Sequence, residues 1–405
     1  MTADIFWKSL PLSPKELSLA RVLRCGQSFR WKNVNNVWSF SAADKIILLK
    51  QDEEHLHYAC VSGENIKPDP SIQSATSFIT DYFNLDIKLE SLYKTWSEVE
   101  ARFSKGSKLA SFNLFPGIRM LRQEPWETVV SFICSSNNNV KRISKMCDAL
   151  CTEYGTYINE HDGVRYYSFP GPEVLADAEV EGRLRELGFG YRAKYIHQTA
   201  KMFVDADRPH ITMDALYDLR NKPYQEAHQF LLQLTGVGPK VADCICLMAL
   251  DKHDVVPVDT HVLQIAVRDY KFKGPKTMNQ KTYHEVRNHL SSLFGEYAGW
   301  AQSVMFAADL SDLNNGVNQV NGETVKHEIK VEKDNGKVKQ EIKKEENEGK
   351  VLIKEEVDTT LSVTRPKVKR QIKKEIKVES EISPQNPGKR TLSRRQTVKR
   401  VKTAA

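Results

Sequence analysis

Cysteine is sparse in this 405-residue chain, with seven residues scattered at positions 25, 60, 134, 147, 151, 244 and 246. An odd and irregular set excludes a disulfide framework and points to reduced, intracellular thiols. Long apolar runs are also missing. No window approaches the ~18 residues of a membrane span, so no membrane partner is expected. The N-terminal MTADIFWKSL has neither a basic segment followed by an apolar core nor an Arg/Ser-rich amphipathic pattern, so no leader is expected there. Aromatic residues stop at Phe306. Beyond Leu313, Lys, Glu, Asn and Gln dominate, so residues 314–405 have too little to bury and are expected to be disordered.

An excess of basic charge is missing from everything ahead of that tail. The chain carries a formal +7, but Glu323 to Lys402 holds 23 Lys and Arg against 14 Asp and Glu. The rest has 36 basic and 38 acidic residues. A nucleic-acid footprint on the folded part therefore has to come from a local patch and from backbone amides, not from bulk charge.

What is present divides the chain into more than one unit, as its length implies. Residues 1–115 carry short β-prone runs at Phe29–Trp31, Val37–Phe40, Lys45–Lys50 and Leu56–Val61, with Asn and Asp between them. They predict an antiparallel sheet, followed by helical spacing over 72–103. Residues 116–313 read as mainly helical. Glu124-Pro125 starts a helix, and Asn137-Asn138-Asn139 makes poor helix interior and predicts a break. Leu187–Ala193 is a glycine-flanked turn offering Tyr191 and Arg192. Amides and guanidiniums on loops suit base edges and a ring can wedge into a base stack; taken singly, each is more often an ordinary surface or packing residue.

The stretch around which the helical part is organised is Leu234-Thr235-Gly236-Val237-Gly238-Pro239-Lys240, opening into an apolar helical run. Gly236 and Gly238 permit positive φ and close backbone approach. Pro239 suits a first helical turn, and the unpaired N–H groups there suit an anion, phosphate above all. Two residues turn this binding turn into a candidate active site. The helix dipole and partial burial are expected to lower the affinity of Lys240 for its proton, freeing an amine nucleophile. Asp259, after Pro257, is expected to begin or cap the next helix and to supply a carboxylate beside an oxocarbenium-like transition state. The plainer alternatives are a phosphate-contacting lysine and a simple N-cap.

Taken together, Cys25–Trp31, Phe132–Asn139, Leu187–Arg192, Gly236–Leu250, Val256–His261 and Tyr297–Asp309 resemble the signature blocks of the eukaryotic 8-oxoguanine-DNA glycosylase/abasic-site lyases. The resemblance spans about Arg24 to Asp309 and implies an α+β fold: an N-terminal antiparallel β domain, then a helix-hairpin-helix core with its hairpin over 230–250. It implies Lys240 as the Schiff-base nucleophile with Asp259 as its acidic partner. Gly26, Cys244, Pro257, Gln302 and Phe306 would form the pocket of the flipped base. Asn137, Arg142, Tyr191, Arg192, Gly236, Gly238 and His261 would contact DNA. It implies no cofactor, although the carbonyls of Leu232, Leu234 and Val237 are expected to suit a structural cation. The implied partner is duplex DNA carrying oxidised guanine opposite cytosine, bound by a monomer. The iron–sulfur cluster of endonuclease III-type relatives is excluded, since no cysteine follows Cys246. A non-catalytic damage-binding protein is the rival, and it would not require Lys240 and Asp259 together.

The tail lies outside this resemblance. Its basic end, Arg365 to Lys402, suits nuclear import or nonspecific DNA tethering; a mitochondrial pool stays open. The pattern aliphatic-Lys-x-Glu recurs seven times between Val325 and Glu379. It resembles the acceptor consensus for SUMO conjugation, and equally a transient helix with Lys/Glu pairing.

Overall fold

The computed structural model describes residues 5–42, 44–62, 72–103, 111–275, 277–309, 330–334 and 337–341. Residues up to Gly322 make up one compact unit. Its sheet is built from β1 (Lys8–Pro11), β2 (Lys32–Val34), β3 (Val37–Ala42), β4 (Lys45–Gln51) and β5 (His55–Ser62), in the order β1-β5-β4-β3-β2 and antiparallel throughout. Asn35 and Asn36 take φ of 52° and 61° in the β2–β3 turn, a conformation asparagine tolerates. One face of β4 and β5 packs with the short α1 (Leu19–Val22) and with α2 (Ile72–Tyr82) around Leu49, Leu56 and Phe83.

One expectation is corrected within this layer, and two elements went unread in the sequence. Phe29–Trp31 is not a strand, because its side chains are committed elsewhere: Phe29 meets Phe132 edge-on at 5.7 Å and Arg30 binds Glu127. Lys8–Pro11, too polar to be read as a strand, pairs with β5 along the sheet edge. The helical segment also contributes a hairpin, β6 (Tyr157–His161) with β7 (Val164–Tyr167). It lies against β3 through a Ser39–Tyr166 hydroxyl contact of 2.6 Å and a bond from Ser41 Oγ to the Tyr167 carbonyl.

The larger layer contains α3 (Leu89–Ala101), α4 (Ser111–Leu114), α5 (Pro125–Ser135), α6 (Val140–Tyr154), α7 (Pro172–Leu175), α8 (Val180–Glu186), α9 (Arg192–Val204) and α10 (Met213–Asp218). It continues through α11 (Tyr224–Leu232), α12 (Pro239–Ala249), α13 (Thr260–Arg268), α14 (Gln280–Phe294) and α15 (Ala298–Asp309). α5 starts at Pro125, with the Glu124 carboxylate accepting from the amides of Trp126 and Glu127. Being buried nearly all round, it serves as the central helix. Arg30 and Glu127 join it to the sheet by a bidentate ion pair at 2.8 and 2.5 Å. Both groups are buried, so removing either charge would strand the other at a cost of about 3–5 kcal/mol.

Within 314–405 the described residues form only the hairpin β8 (Lys330–Asp334) and β9 (Lys337–Glu341), in a second unit spanning Glu323–Ala405. The rest of the tail, expected to be disordered, lies outside the described residues.

Candidate active site

The site starts from the turn between α11 and α12. Gly236 has φ of +84°, and a Cβ there would lie 2.7 Å from the Cβ of Tyr195, so only glycine fits. Thr199 of α9 donates to the Thr235 carbonyl at 2.8 Å, fixing the turn from the same helix. Gly236→Ala should therefore cost about 2–3 kcal/mol of stability, from backbone strain plus displacement of the Tyr195 ring. Thermal melting of the purified variant, together with its affinity for duplex DNA, checks this.

Gly238 caps α12 and Pro239 occupies its first turn. Lys240 follows, with its Nζ 5.8 Å from the centre of the Phe132 ring on α5. The Cys244 sulfur, one turn further on, lies close enough to raise the proton affinity of this amine. The proton affinity of this amine departs from the sequence expectation. Burial does work against the ammonium, but the Cys244 sulfur and the Asp259 carboxylate outweigh it, and the pKa lies above the ordinary lysine value. A full carboxylate charge overrides a helix-terminal dipole worth only ~0.3–1 kcal/mol. Burial raises the Cys244 thiol against the opposing pull of Lys240, so the sulfur keeps its proton. The resting site thus sets an ammonium within electrostatic reach of a thiol and a carboxylate.

Asp259 caps α13: its Oδ1 accepts from the Val262 amide at 2.9 Å. The N-cap reading of this residue is therefore observed directly. Pro257 is buried in the segment Val255–Val258 that delivers Asp259. That segment is pinned by Gly299 of α15, where a Cβ would fall 2.2 Å from the Val255 carbonyl and 2.5 Å from Leu247 of α12. Gly299 accordingly brings α12, α15 and the approach to Asp259 together, a role that sequence reading missed.

On α15, the buried Gln302 lies one turn before Phe306. Across from Phe306 is Gly26, with φ of +86°; a Cβ on it would be 3.9 Å from the Phe306 ring and 3.4 Å from Val140. His261 meets the other side of Phe306, rings nearly perpendicular at 6.3 Å. Gly26 is held in place by buried amides absent from the sequence reading. Gln27 donates to the Arg119 carbonyl at 3.0 Å and accepts from the Leu121 amide at 2.9 Å. Gln123 donates to the Gln27 carbonyl at 2.9 Å. Glutamines beside glycine in a buried loop were the available signal.

The expected break between α5 and α6 falls at the three asparagines. Asn137 takes φ of +48°, and Asn139 caps α6 by accepting from the Arg142 amide. The structure brings the glycine-flanked turn against this loop. Tyr191, 45% exposed, donates through its hydroxyl to the Ser136 carbonyl at 2.9 Å. Arg142 donates to the Gly188 carbonyl at 3.1 Å. Arg192 differs from the expected exposed reader. It is 3% exposed, and its Nη2 donates to the carbonyls of Ser136 and, at 3.0 Å, Asn137. It braces the asparagine loop from beneath because its own backbone already lies inside α9.

Among the described residues, no group of three or more His, Cys, Asp or Glu side chains could hold a metal. The cation implied at Leu232, Leu234 and Val237 would instead rest on neutral carbonyls at the end of α11. That donor type suits a hard ion, although the Leu234 carbonyl already accepts from the Val237 amide at 3.1 Å.

Residues 9–129 match the model of the 8-oxoguanine DNA glycosylase N-terminal domain, and residues 130–296 that of the HhH-GPD superfamily base excision DNA repair protein. The chain is 40% identical over 335 residues to the N-glycosylase/DNA lyase of Saccharomyces cerevisiae, covering 74% of this chain and 85% of that one. The chain belongs to the N-glycosylase/DNA lyase family. Another relative, the N-glycosylase/DNA lyase OGG1 of Arabidopsis thaliana, is 37% identical over 75% of this chain and 80% of its own. The 8-oxoguanine glycosylase/lyase of Clostridium acetobutylicum, solved with duplex DNA containing cytosine opposite 8-oxoguanine, is a structural neighbour of this family member. The TM-score is 0.62 at 26% identity, covering 77% of this chain and 99% of that one.

Proposed function

We propose that the chain binds duplex DNA, extrudes an 8-oxoguanine paired with cytosine, and removes it with Lys240 as nucleophile. What supports this reading is that the Lys240 amine lies within electrostatic reach of Cys244 and the Asp259 carboxylate in a chain of the N-glycosylase/DNA lyase family.

The hairpin amides at Gly236 and Gly238 grip a phosphate, with His261 alongside. The target nucleotide leaves the stack and enters the pocket. Phe306 and Cys244 flank the base, while Gln302 meets its Watson–Crick edge and Pro257 backs the sugar. The Gly26 carbonyl accepts from N7–H, which 8-oxoguanine has and guanine lacks. Guanine would present a lone pair to that carbonyl, a difference of a few kcal/mol.

Lys240 transfers a proton into the site and its amine attacks C1′. The N-glycosidic bond breaks, its electron pair and a proton leaving with the base, while Asp259 offsets positive charge on the sugar. The C1′ adduct opens to an imine, which acidifies the C2′ proton; loss of that proton expels the 3′ phosphate oxygen. Water then hydrolyses the imine, freeing Lys240, and the products are free 8-oxoguanine and a strand nicked 3′ to the lesion.

Asn137 and Arg142 hold the orphaned cytosine, Arg192 keeps the asparagine loop in place from beneath, and Tyr191 wedges beside it. Excision from duplexes with 8-oxoguanine opposite each of the four bases tests this. Cytosine should be preferred by roughly 10-fold or more, since each lost bidentate contact is worth ~1–3 kcal/mol; equal rates opposite all four would remove these assignments. The enzyme acts as a monomer in the nucleus, drawn there by the basic end of its tail. Lysines of the repeated aliphatic-Lys-x-Glu segments accept SUMO. Incubation of the full chain with the conjugating enzymes should yield several adduct bands, lost when those lysines become arginine; persistence of the bands would count against it.

A further inference from the structure

Beside the face of α12 that carries Lys240 and Cys244 lies a charged group with no part in the steps above. Asp243 is 0% exposed. Its Oδ1 accepts the Tyr224 hydroxyl of α11 at 2.8 Å, and its Oδ2 the Tyr283 hydroxyl of α14 at 2.5 Å. The Arg287 guanidinium of α14 stands 3.6 Å from Oδ2, lies 4.1 Å over the Tyr224 ring and donates to the Tyr224 hydroxyl oxygen. His228 of α11 places Nε2 at 3.6 Å from Oδ1. One carboxylate therefore ties α12 to α11 and to α14.

Apolar packing would join three helices at less desolvation cost than a buried carboxylate. What a carboxylate adds is direction, because its lone pairs accept donors only along particular lines. Fixing both oxygens from opposite neighbours fixes the rotation of α12 about its axis. Rotation matters here because Lys240 projects a long side chain from the first turn, where the backbone has the fewest helical hydrogen bonds. A small turn of the helix sweeps Nζ through a larger arc, and a misplacement of ~1 Å can cost about 100-fold in rate.

We propose that Asp243 is a positioning residue for base excision, acting with Tyr224, Tyr283, Arg287 and His228 to set the azimuth of α12 and so the aim of Lys240. This rests on the reading of Lys240 as nucleophile. It assigns the cluster a task distinct from holding the fold: rate should suffer while affinity for DNA does not.

The test uses the full chain under single-turnover conditions on duplex DNA with 8-oxoguanine opposite cytosine, well below each variant's melting temperature. Excision rate, borohydride-trapped adduct, DNA affinity and thermal melting are measured together. Asp243→Asn keeps the shape and loses the charge; it should slow excision roughly 10- to 100-fold and reduce trapping in step, with DNA affinity changed less than about twofold. Tyr283→Phe removes one donor and should slow excision about 3- to 10-fold with the same split. If Asp243→Asn does not fold, Tyr283→Phe decides. A folded variant excising at the wild-type rate overturns the role of Asp243, as does a loss matching only the unfolded fraction. Wild-type chain that excises base yet yields no trapped adduct overturns the Lys240 reading itself, a separate outcome.

Discussion

Replacing Lys240 with Gln abolishes base release and the borohydride-trapped adduct together, while the duplex remains bound. Glutamine preserves the apolar stem beside Phe132 and the first turn of α12 behind Pro239, but its amide nitrogen cannot form an imine. Loss of a covalent nucleophile costs on the order of 10^4-fold or more in rate. DNA affinity should fall by less than about 10-fold, because one phosphate-range cation is lost from a surface where the hairpin amides and Arg142 persist. A lysine that merely held phosphate would give the reverse pattern, weak binding with surviving chemistry. Excision followed by gel separation of the nicked strand, alongside a binding titration, separates the two. The charge state of Lys240 adds a pH dependence. Its pKa is raised by Cys244 and Asp259 against the effect of burial, so the neutral amine is the scarce form at neutral pH. The wild-type rate should accordingly climb as pH rises from mildly acid to mildly alkaline.

Asp259→Asn should slow excision by roughly 10^2- to 10^3-fold while leaving the melting temperature almost unchanged. Asparagine caps helices about as well as aspartate, so the bond from the Val262 amide and the start of α13 survive. What disappears is the negative charge that holds the Lys240 ammonium and offsets the positive sugar. Losing a preorganised group aimed at transition-state charge costs about 3–4 kcal/mol. Were Asp259 only a cap, Asp259→Asn would be nearly silent and Asp259→Ala would lose ~1 kcal/mol of stability. Single-turnover rates for Asp259→Asn, set beside calorimetric melting for both variants, distinguish the roles.

Much of this was legible in the residues, and for local reasons. Gly236-Val237-Gly238-Pro239-Lys240 announces its turn because glycine and proline restrict backbone geometry without reference to the rest of the chain. Glu124-Pro125 and Asp259 mark helix starts, and the asparagine run a helix break, on the same grounds. What escaped depends on distant partners. Phe29–Trp31 has strand composition, but Phe132 and Glu127 draw its side chains into the helical layer. Tyr157–Tyr167 forms a hairpin because the sheet offers Ser39 and Ser41 to it. Arg192 looked like a surface reader until the carbonyls of the asparagine loop were placed above it. The proton affinity of Lys240 was misjudged for the same cause: the helix dipole is written in its neighbours, whereas the Asp259 carboxylate arrives from 19 positions away. Asp243 gave no local cue, since a lone acid in an apolar helix reveals its purpose only when Tyr224, Tyr283 and Arg287 converge on it.

The central claim is that one particular amine bonds to the sugar of the damaged nucleotide. Trapping the wild-type reaction on an 8-oxoguanine duplex with borohydride, digesting the adduct and sequencing the DNA-linked peptide by mass spectrometry tests it most directly. The modified residue should be Lys240, within the peptide that carries the hairpin turn Leu234–Pro239. Attachment at any other amine, with Lys240 recovered unmodified, would contradict the account.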